Sequence, residues 1–348
     1  MNTYLRLLLL PFSFIYGLVI WVRNKLYDLG MFSSRSFDIP VICVGNLAVG
    51  GSGKTPVTEY LVRLLAHKRV AILSRGYGRN TTGFILADHH ATAQTIGDEP
   101  MQYFHKFSHV TVAVCEDRVT GISQLKEGHD VIILDDAYQH RKVRAGYNIL
   151  LFEYAKLFKP QFLLPAGNLR EPFANYNRAQ AVLVTKAPTE VAEGALHAIR
   201  KKFSRSPQVF ISSLKYQELR SVFADRSTVE LKKGTMVFLL SGIANPKPLI
   251  TYLEGIVGIE HHEYPDHHQF SVADIEKLTR AFRAGTAVNK MIVTTEKDAQ
   301  RLSDAPLKEL LLDLPVFYLP IEVQLHATQE HTFNQNILDY VSGTSRNR

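Results

Sequence analysis

Short apolar runs recur along the chain, each closed by glycine or by polar and charged residues. Val-Ile-Cys-Val at 41–44, Val-Ala-Ile-Leu at 70–73, Val-Thr-Val-Ala-Val at 110–114 and Val-Ile-Ile-Leu at 131–134 are the first of them. Ile-Leu-Leu-Phe at 149–152 and Ala-Val-Leu-Val at 181–184 follow. Runs of this length without apolar–polar alternation predict strands covered on both faces, the habit of parallel sheets. Between them lie segments that read as helices, 58–65 and a short one opening at 116–120. Strand and helix alternate, so the pattern predicts an α/β fold, a mostly parallel sheet flanked by helices.

The texture changes near residue 213. Residues 215–233 are polar and irregular. A second set of apolar runs then begins at 236–240 and 291–295, with a helix containing Ile275 and Leu278 between them. The run at 315–323 leads the chain back toward its first part. The expected organisation is a core at 38–213, a second, smaller α/β lobe at 214–315, and a return segment and tail at 316–348 that frays from Ser342.

Residues 1–30 differ from both lobes. Positions 7–22 carry no charge and are bracketed by Arg6, Arg23 and Lys25. As a helix this run spans about 24 Å, short of the roughly 30 Å hydrocarbon core of a bilayer. Pro11 and Gly17 weaken it further, and no small-residue cleavage site follows. Three readings fit: a helix lying in the membrane interface, a short or tilted span, and a buried core helix. Tyr16, Trp21 and Tyr27 near one end, with basic residues on both sides, favour a membrane-associating N-terminal apolar helix.

Composition narrows the classes. At 348 residues, with 46% hydrophobic and 21% charged residues, the chain is globular and long enough for more than one compact unit. The 40 Lys and Arg against 33 Asp and Glu give a net charge of +7, which suits an anionic membrane surface, an anionic substrate or nucleic acid about equally. The basic residues are scattered without an aromatic–basic platform, so nucleic-acid binding has no support. The chain has two cysteines, Cys43 and Cys115, and neither lies in a C-x-x-C pair, so no disulfide or zinc framework is expected.

Candidate chemistry starts where the first strand ends. Ala48-Val49-Gly50-Gly51-Ser52-Gly53-Lys54-Thr55 follows the 41–44 strand and precedes the 58–65 helix. Glycines let successive N–H groups turn toward one anion, Lys54 adds a mobile positive charge, and Thr55 offers a hydroxyl to Mg²⁺. Ala48 stands where the motif's first glycine belongs. Asp135 and Asp136 close the 131–134 strand, where a carboxylate downstream of a phosphate loop holds Mg²⁺, Asp135 being the favoured contact. Lys186 is followed by Ala187-Pro188, which removes the acid a guanine reader needs two residues on. Ser74-Arg75-Gly76-Tyr77-Gly78-Arg79 reads equally as a ligand loop or as a turn with solvated arginines. Asp98, in Gly-Asp-Glu-Pro, is placed to cap a helix. The adjacent His267 and His268 read first as a loop or helix entry, since two histidines alone make a weak metal site.

Seven ordered motifs carry a resemblance. They are Gly-Asn-Leu-x-x-Gly-Gly-Ser-Gly-Lys-Thr-Pro, Ser-Arg-Gly-Tyr-Gly-Arg, Gly-Asp-Glu-Pro, Leu-Asp-Asp-Ala-Tyr-Gln-His, Asn-Leu-Arg-Glu-Pro, Asp-His-His-x-Phe and Thr-Glu-Lys-Asp-Ala. With them the chain resembles the lipid A 4′-kinases of Gram-negative bacteria, from the N-terminal apolar segment to about Val323. The resemblance implies transfer of the ATP γ-phosphate, with Mg²⁺, to the 4′-hydroxyl of a tetraacyl glucosamine disaccharide 1-phosphate. It implies a P-loop NTPase-type core, catalytic roles for Asp98 and His267, and a Mg²⁺ side made by Thr55, Asp135 and Asp136. Arg170, Glu171 and His140 are implied on the substrate side. It also implies work at the cytoplasmic face of the bacterial inner membrane; no obligate protein partner is inferred. The alternative from another class is a P-loop ATPase that drives a partner, although Val49 stands where many of those carry a signature lysine.

Overall fold

The computed structural model describes residues 6–346 apart from 205–207, 224–227 and 304. Nine strands build the larger sheet: β1 (Val41–Asn46), β2 (Val70–Ser74), β3 (Ile85–Leu86), β4 (Thr111–Val114), β5 (Val131–Asp135), β6 (Tyr147–Glu153), β7 (Ala181–Thr185), β8 (Gln208–Tyr216) and β15 (Ile321–Leu325). Their spatial order is β15-β8-β7-β6-β1-β5-β2-β4-β3, parallel except at the edge strands β3 and β15. Every residue of β1, β2, β5 and β7 is buried, because apolar clusters cover both faces. Alternation along β1 sends Val41 and Cys43 into one cluster and Ile42 and Val44 into the other. From β1 the chain first builds outward through β2 to β4. It then returns to β5 and builds the other way through β6, β7 and β8. The reversal at β1 is where open α/β sheets place ligands, outside the strand carboxyl ends.

The smaller sheet runs β10-β9-β14-β13-β11-β12. It uses β9 (Leu219–Ser221), β10 (Thr228–Val229), β11 (Met236–Ser241), β12 (Gly258–Glu263), β13 (Lys290–Thr295) and β14 (Val316–Leu319). Residues 214–216 finish a strand of the larger sheet and 316–319 belong to the smaller one. The crossings therefore fall after Tyr216 and before Ile321, which face each other across the β8–β15 pair. The tail does not fray from Ser342 as its sequence predicts. The backbone stays helical to Arg346, anchored by Phe333, Ile337 and Val341 in the core of the larger sheet; residues 347–348 lie outside the described residues.

Five helices matter for the site: α1 (Leu10–Asp28), α2 (Lys54–Leu64), α3 (Asp98–Lys106), α4 (Glu296–Leu302) and α5 (Ala327–Arg346). The first is built inside out. Its buried residues are Ser13 and Asn24, while Phe12, Phe14, Ile15, Leu18, Val19, Trp21 and Val22 face outward. Polar bonds hold the inner side: Ala166 N to Ser13 Oγ at 2.9 Å, Ser13 Oγ to Leu163 O at 3.0 Å, and Tyr16 Oη to Arg170 O at 2.8 Å. The buried-core reading of this segment is thereby excluded. No helix of the described residues is long and apolar enough to cross a membrane.

Candidate active site

The loop between β1 and α2 is gripped from several sides. Gly50 (φ 106°) and Gly53 (φ 86°) take left-handed conformations that a Cβ would strain, and Gly53 caps α2. Asn46 Nδ2 donates to Ser52 Oγ at 2.9 Å, and Thr185 Oγ1 donates to Ser52 O at 2.7 Å. Lys186 Nζ donates to Gly51 O at 2.6 Å. From the 162–170 hairpin, Asn168 O accepts from Val49 N (2.8 Å) and Leu47 O accepts from Arg170 N (2.7 Å). The loop is therefore shaped in advance, with the positive N-terminal end of α2 behind it.

Two carboxylates stand beside it at the end of β5. Asp136 is half-buried; its Oδ2 lies 3.7 Å from Lys54 Nζ, and Arg170 Nη1 donates to both its oxygens at 3.1 Å. Asp135 is buried. Its Oδ2 accepts from Tyr103 Oη at 3.2 Å, while its Oδ1 has no hydrogen-bond partner. Burial, then the neighbouring Asp136 charge, pushes the Asp135 carboxyl up to about 7 against the pull of Lys54.

A second cluster joins the lobes. The motif containing His267 lies between β12 and the helix Val272–Ala284, and α4 follows β13. His267 Nδ1 lies 3.3 Å from Asp98 Oδ2, and Arg301 from α4 donates to the same oxygen through Nε and Nη2. Lys297 Nζ lies 3.0 Å from His267 Nε2 and 2.8 Å from Glu99 Oε1. Burial works to raise the Asp98 pKa, but hydrogen bonds from His267 and Arg301 and the charges of Arg301 and Lys297 hold it at about 2. Further along, Lys106 bridges Glu59 (2.7 Å) and Glu296 (2.8 Å). Helix α3 thus touches both clusters, Tyr103 at the phosphate side and Asp98 at the other lobe.

Three non-glycine residues among those described have left-handed φ: Asp136 (50°), Lys186 (56°) and His267 (61°). All three belong to these clusters, and such strain gathers where surrounding structure fixes a side chain for use.

Some residues sit elsewhere than their sequence context predicts. Asp98 does not cap α3; Gly97 occupies the N-cap, and Asp98 opens the helix with its carboxylate turned to the second lobe. Glu171 lies deeper than a polar loop predicts. It is fully buried and ion-paired with Arg178, with Asn175 and Asn24 donating to it, so it braces α1 against the loop. His140 is partly buried 3.7 Å from Asp117; burial and the Arg118 charge hold its pKa near 4, so it is neutral. Arg79 is a clamp, its side chain almost wholly covered and paired with Glu116. His268 bonds Asp274 at 3.0 Å and stacks on Tyr264. The roles of Tyr103, Lys186, Lys297 and Arg301 were missed. The spacing of Lys297 and Arg301, four apart after a strand, was the available signal.

A family model described as Tetraacyldisaccharide-1-P 4′-kinase matches residues 5–342. The chain is 45% identical over 351 residues to a tetraacyldisaccharide 4′-kinase of Phocaeicola vulgatus, covering 97% of this chain and 96% of that protein. It is 45% identical over 347 residues to the enzyme of that name from Flavobacterium johnsoniae, with 97% of each covered. Among solved structures, "apo" form LpxK from Aquifex aeolicus in complex with ATP matches with a TM-score of 0.76 at 32% identity, covering 97% of this chain and 99% of that one.

Proposed function

The chain belongs to the tetraacyldisaccharide-1-P 4′-kinase family, and we propose that it divides that phosphoryl transfer between the two clusters joined by α3. The reaction moves the γ-phosphate of ATP to the 4′-hydroxyl of a tetraacyl disaccharide 1-phosphate. Residues 48–55 hold the nucleotide phosphates through loop amides, the α2 N-terminus and Lys54. Arg170 and Asp136 form the wall of this half, and His140, a neutral ring beside Asp117, is kept on the substrate side. The P-loop ATPase alternative is set aside by the family membership.

Magnesium fits the residues present. The unpartnered, buried Asp135 Oδ1 is a carboxylate oxygen in need of a positive neighbour, with Asp136 next in sequence and Thr55 at the Tyr103 hydroxyl that bonds Asp135. Among the described residues no group of three or more His, Cys, Asp and Glu side chains could hold a metal. Thr55, Asp135 and Asp136 would hold the ion beside the bound nucleotide. When bound it neutralises charge on the β- and γ-phosphates.

Acceptor activation falls to Asp98 and His267. As the acceptor oxygen bonds to the γ-phosphorus and the bond to the β–γ bridging oxygen breaks, the hydroxyl proton passes to this pair and ADP leaves with the bridging oxygen. The observation that carries the reading is α3 itself. Its Tyr103 bonds the phosphate-side Asp135, and about 7–8 Å along the same axis its first residue meets His267. Asp98→Ala and His267→Ala should each lower kcat by about 10²–10⁴-fold with ATP affinity unchanged, measured with γ-labelled ATP and a lipid disaccharide 1-phosphate in detergent. Near-parent turnover in both would remove the pair from the chemistry.

The outward apolar side of α1 fits a bilayer surface, with Lys25 exposed near one end for anionic headgroups, while Arg6 and Arg23 donate into the protein, to Gly167 O and Gln139 O. Phe158 and Phe162 are exposed too, the latter beside Leu163, which α1 touches. The helix would lie in the interface at the cytoplasmic face of the inner membrane. Phe14→Ser with Trp21→Ser leaves the polar inner side intact and should release the protein from anionic vesicles; full retention would place the contact elsewhere.

A further inference from the structure

Lys297 and Arg301 stand four residues apart on α4, so their side chains share one helix face. Both reach the beginning of α3 in the other lobe. We infer that Lys297 and Arg301 are positioning residues for the phosphoryl transfer, Arg301 setting the Asp98 carboxylate and Lys297 the His267 imidazole. The inference rests on the reading of Asp98 and His267 as the pair that takes the acceptor's proton.

The Arg301 side chain is 1% exposed, and each of its nitrogens has a partner. Nε and Nη2 hold Asp98 Oδ2, while Nη1 donates to Asp298 Oδ1 at 2.9 Å and to His268 O at 3.2 Å, with Gly242 O at 3.5 Å. Asp298 is in turn fixed by Gly242 N at 3.0 Å and Thr295 Oγ1 at 2.7 Å. His267 N itself donates to Gly242 O at 3.1 Å. One rigid guanidinium therefore grips the carboxylate from the first lobe and the backbone on either side of His267 in the second. A planar fork fixes direction as well as distance, which a point charge does not.

Lys297 has another task. An ammonium donates and cannot accept, so its contact with His267 Nε2 makes that nitrogen the acceptor. The ring proton then sits on Nδ1, facing Asp98. This is the tautomer in which Nε2 can receive a proton from an approaching hydroxyl. That hydroxyl must displace Lys297, for which Glu99 is already a second seat at 2.8 Å. The charged groups facing Asp98 are His267, Arg301 and Lys297, with Glu99 adjacent in sequence and Asp298 behind Arg301.

The test uses the full-length kinase with Arg301→Gln, Arg301→Lys, Lys297→Met and, alongside, Asp98→Asn. Values of kcat, of KM for ATP and of KM for the lipid acceptor are measured across pH. Arg301→Gln should lower kcat about 100-fold with KM for ATP within about twofold. Its pH profile should gain an acid limb at roughly pH 5–6, as Asp98 loses the charge that keeps it ionised. Arg301→Lys should abolish that limb yet recover only part of the rate. Lys297→Met should lower kcat about 10-fold, with KM for ATP again unmoved. Should Arg301→Gln fail to fold by near-ultraviolet circular dichroism, Arg301→Lys and Lys297→Met decide. Parent kinetics in both, or an equal loss at every pH with no difference between Lys and Gln at 301, overturns the inference. An active Asp98→Asn would instead overturn the reading beneath it.

Discussion

Asp98 and Asp135 are equally hidden, at 5% and 4% exposure, yet burial has opposite outcomes for them. The Asp135 carboxyl is pushed up to about 7, with one oxygen unpartnered. The Asp98 carboxyl is held at about 2, gripped by a guanidinium and an imidazole from the other lobe. Depth alone raises both; the partners decide the sign. One aspartate is completed by the protein's own second lobe, and the other has the character of a group completed by a cation.

The widest test of that contrast is catalytic. Asp98→Asn should lower kcat about 10³-fold while Mg·ATP binding, followed by calorimetry, stays within about twofold. Asp135→Asn should weaken Mg·ATP binding about tenfold and leave metal-free ATP binding near the parent value. If the two variants behave alike, the division between the aspartates collapses. Stability should separate them next. Asp98→Asn removes one of the two carboxylates paired with the buried Arg301 guanidinium, leaving Asp298, and should lose about 2 kcal/mol in urea unfolding of the nucleotide-free protein. Asp135→Asn removes a buried carboxylate that has one oxygen unpartnered and should gain about 1 kcal/mol under the same conditions. A loss there would mean that Lys54 or Tyr103 already satisfies Asp135.

The smallest effect belongs to the neighbouring interlobe contact. Burial, then Glu59, raises the Glu296 pKa against Lys106. A carboxyl raised on folding contributes most at low pH, and that contribution falls as pH climbs from about 4.5 through the raised value. Glu296→Gln should flatten the fall of Tm between about pH 5 and 7, by the equivalent of about 1 kcal/mol or less because Lys106 still bridges Glu59. An unchanged slope would assign the fall to another group.

What the sequence made legible was local. The strand, glycine loop and helix at 41–65 are contiguous, and each local choice of residue agrees with its neighbours. The interlobe cluster was legible only in part. Arg301 and Asp98 are separated by 203 positions, and no local pattern says that a guanidinium will reach so far. The burial of Glu171 was hidden for a similar reason: adjacent Arg170 and Glu171 look alike in a polar loop, but successive side chains there point opposite ways, one to Asp136 and one into the body of the lobe. In α1 the apolar character was plain. Its reversal was not, because Ser13 and Asn24 are buried by partners at 163–171, far along the chain.

The two crossings between the sheets have a consequence for the order in which the chain is made. The smaller sheet is drawn wholly from residues 219–319, whereas the larger one receives its edge strand β15 and helix α5 only afterwards. Tyr340 on α5 holds both the N–H and the C=O of Val41, the first residue of the strand that leads into the phosphate loop. During synthesis the inserted lobe can therefore close on itself first, while the root of the nucleotide loop stays untied until Tyr340 has emerged. A nascent chain halted at residue 320 would have its small sheet complete and its phosphate loop without that final anchor.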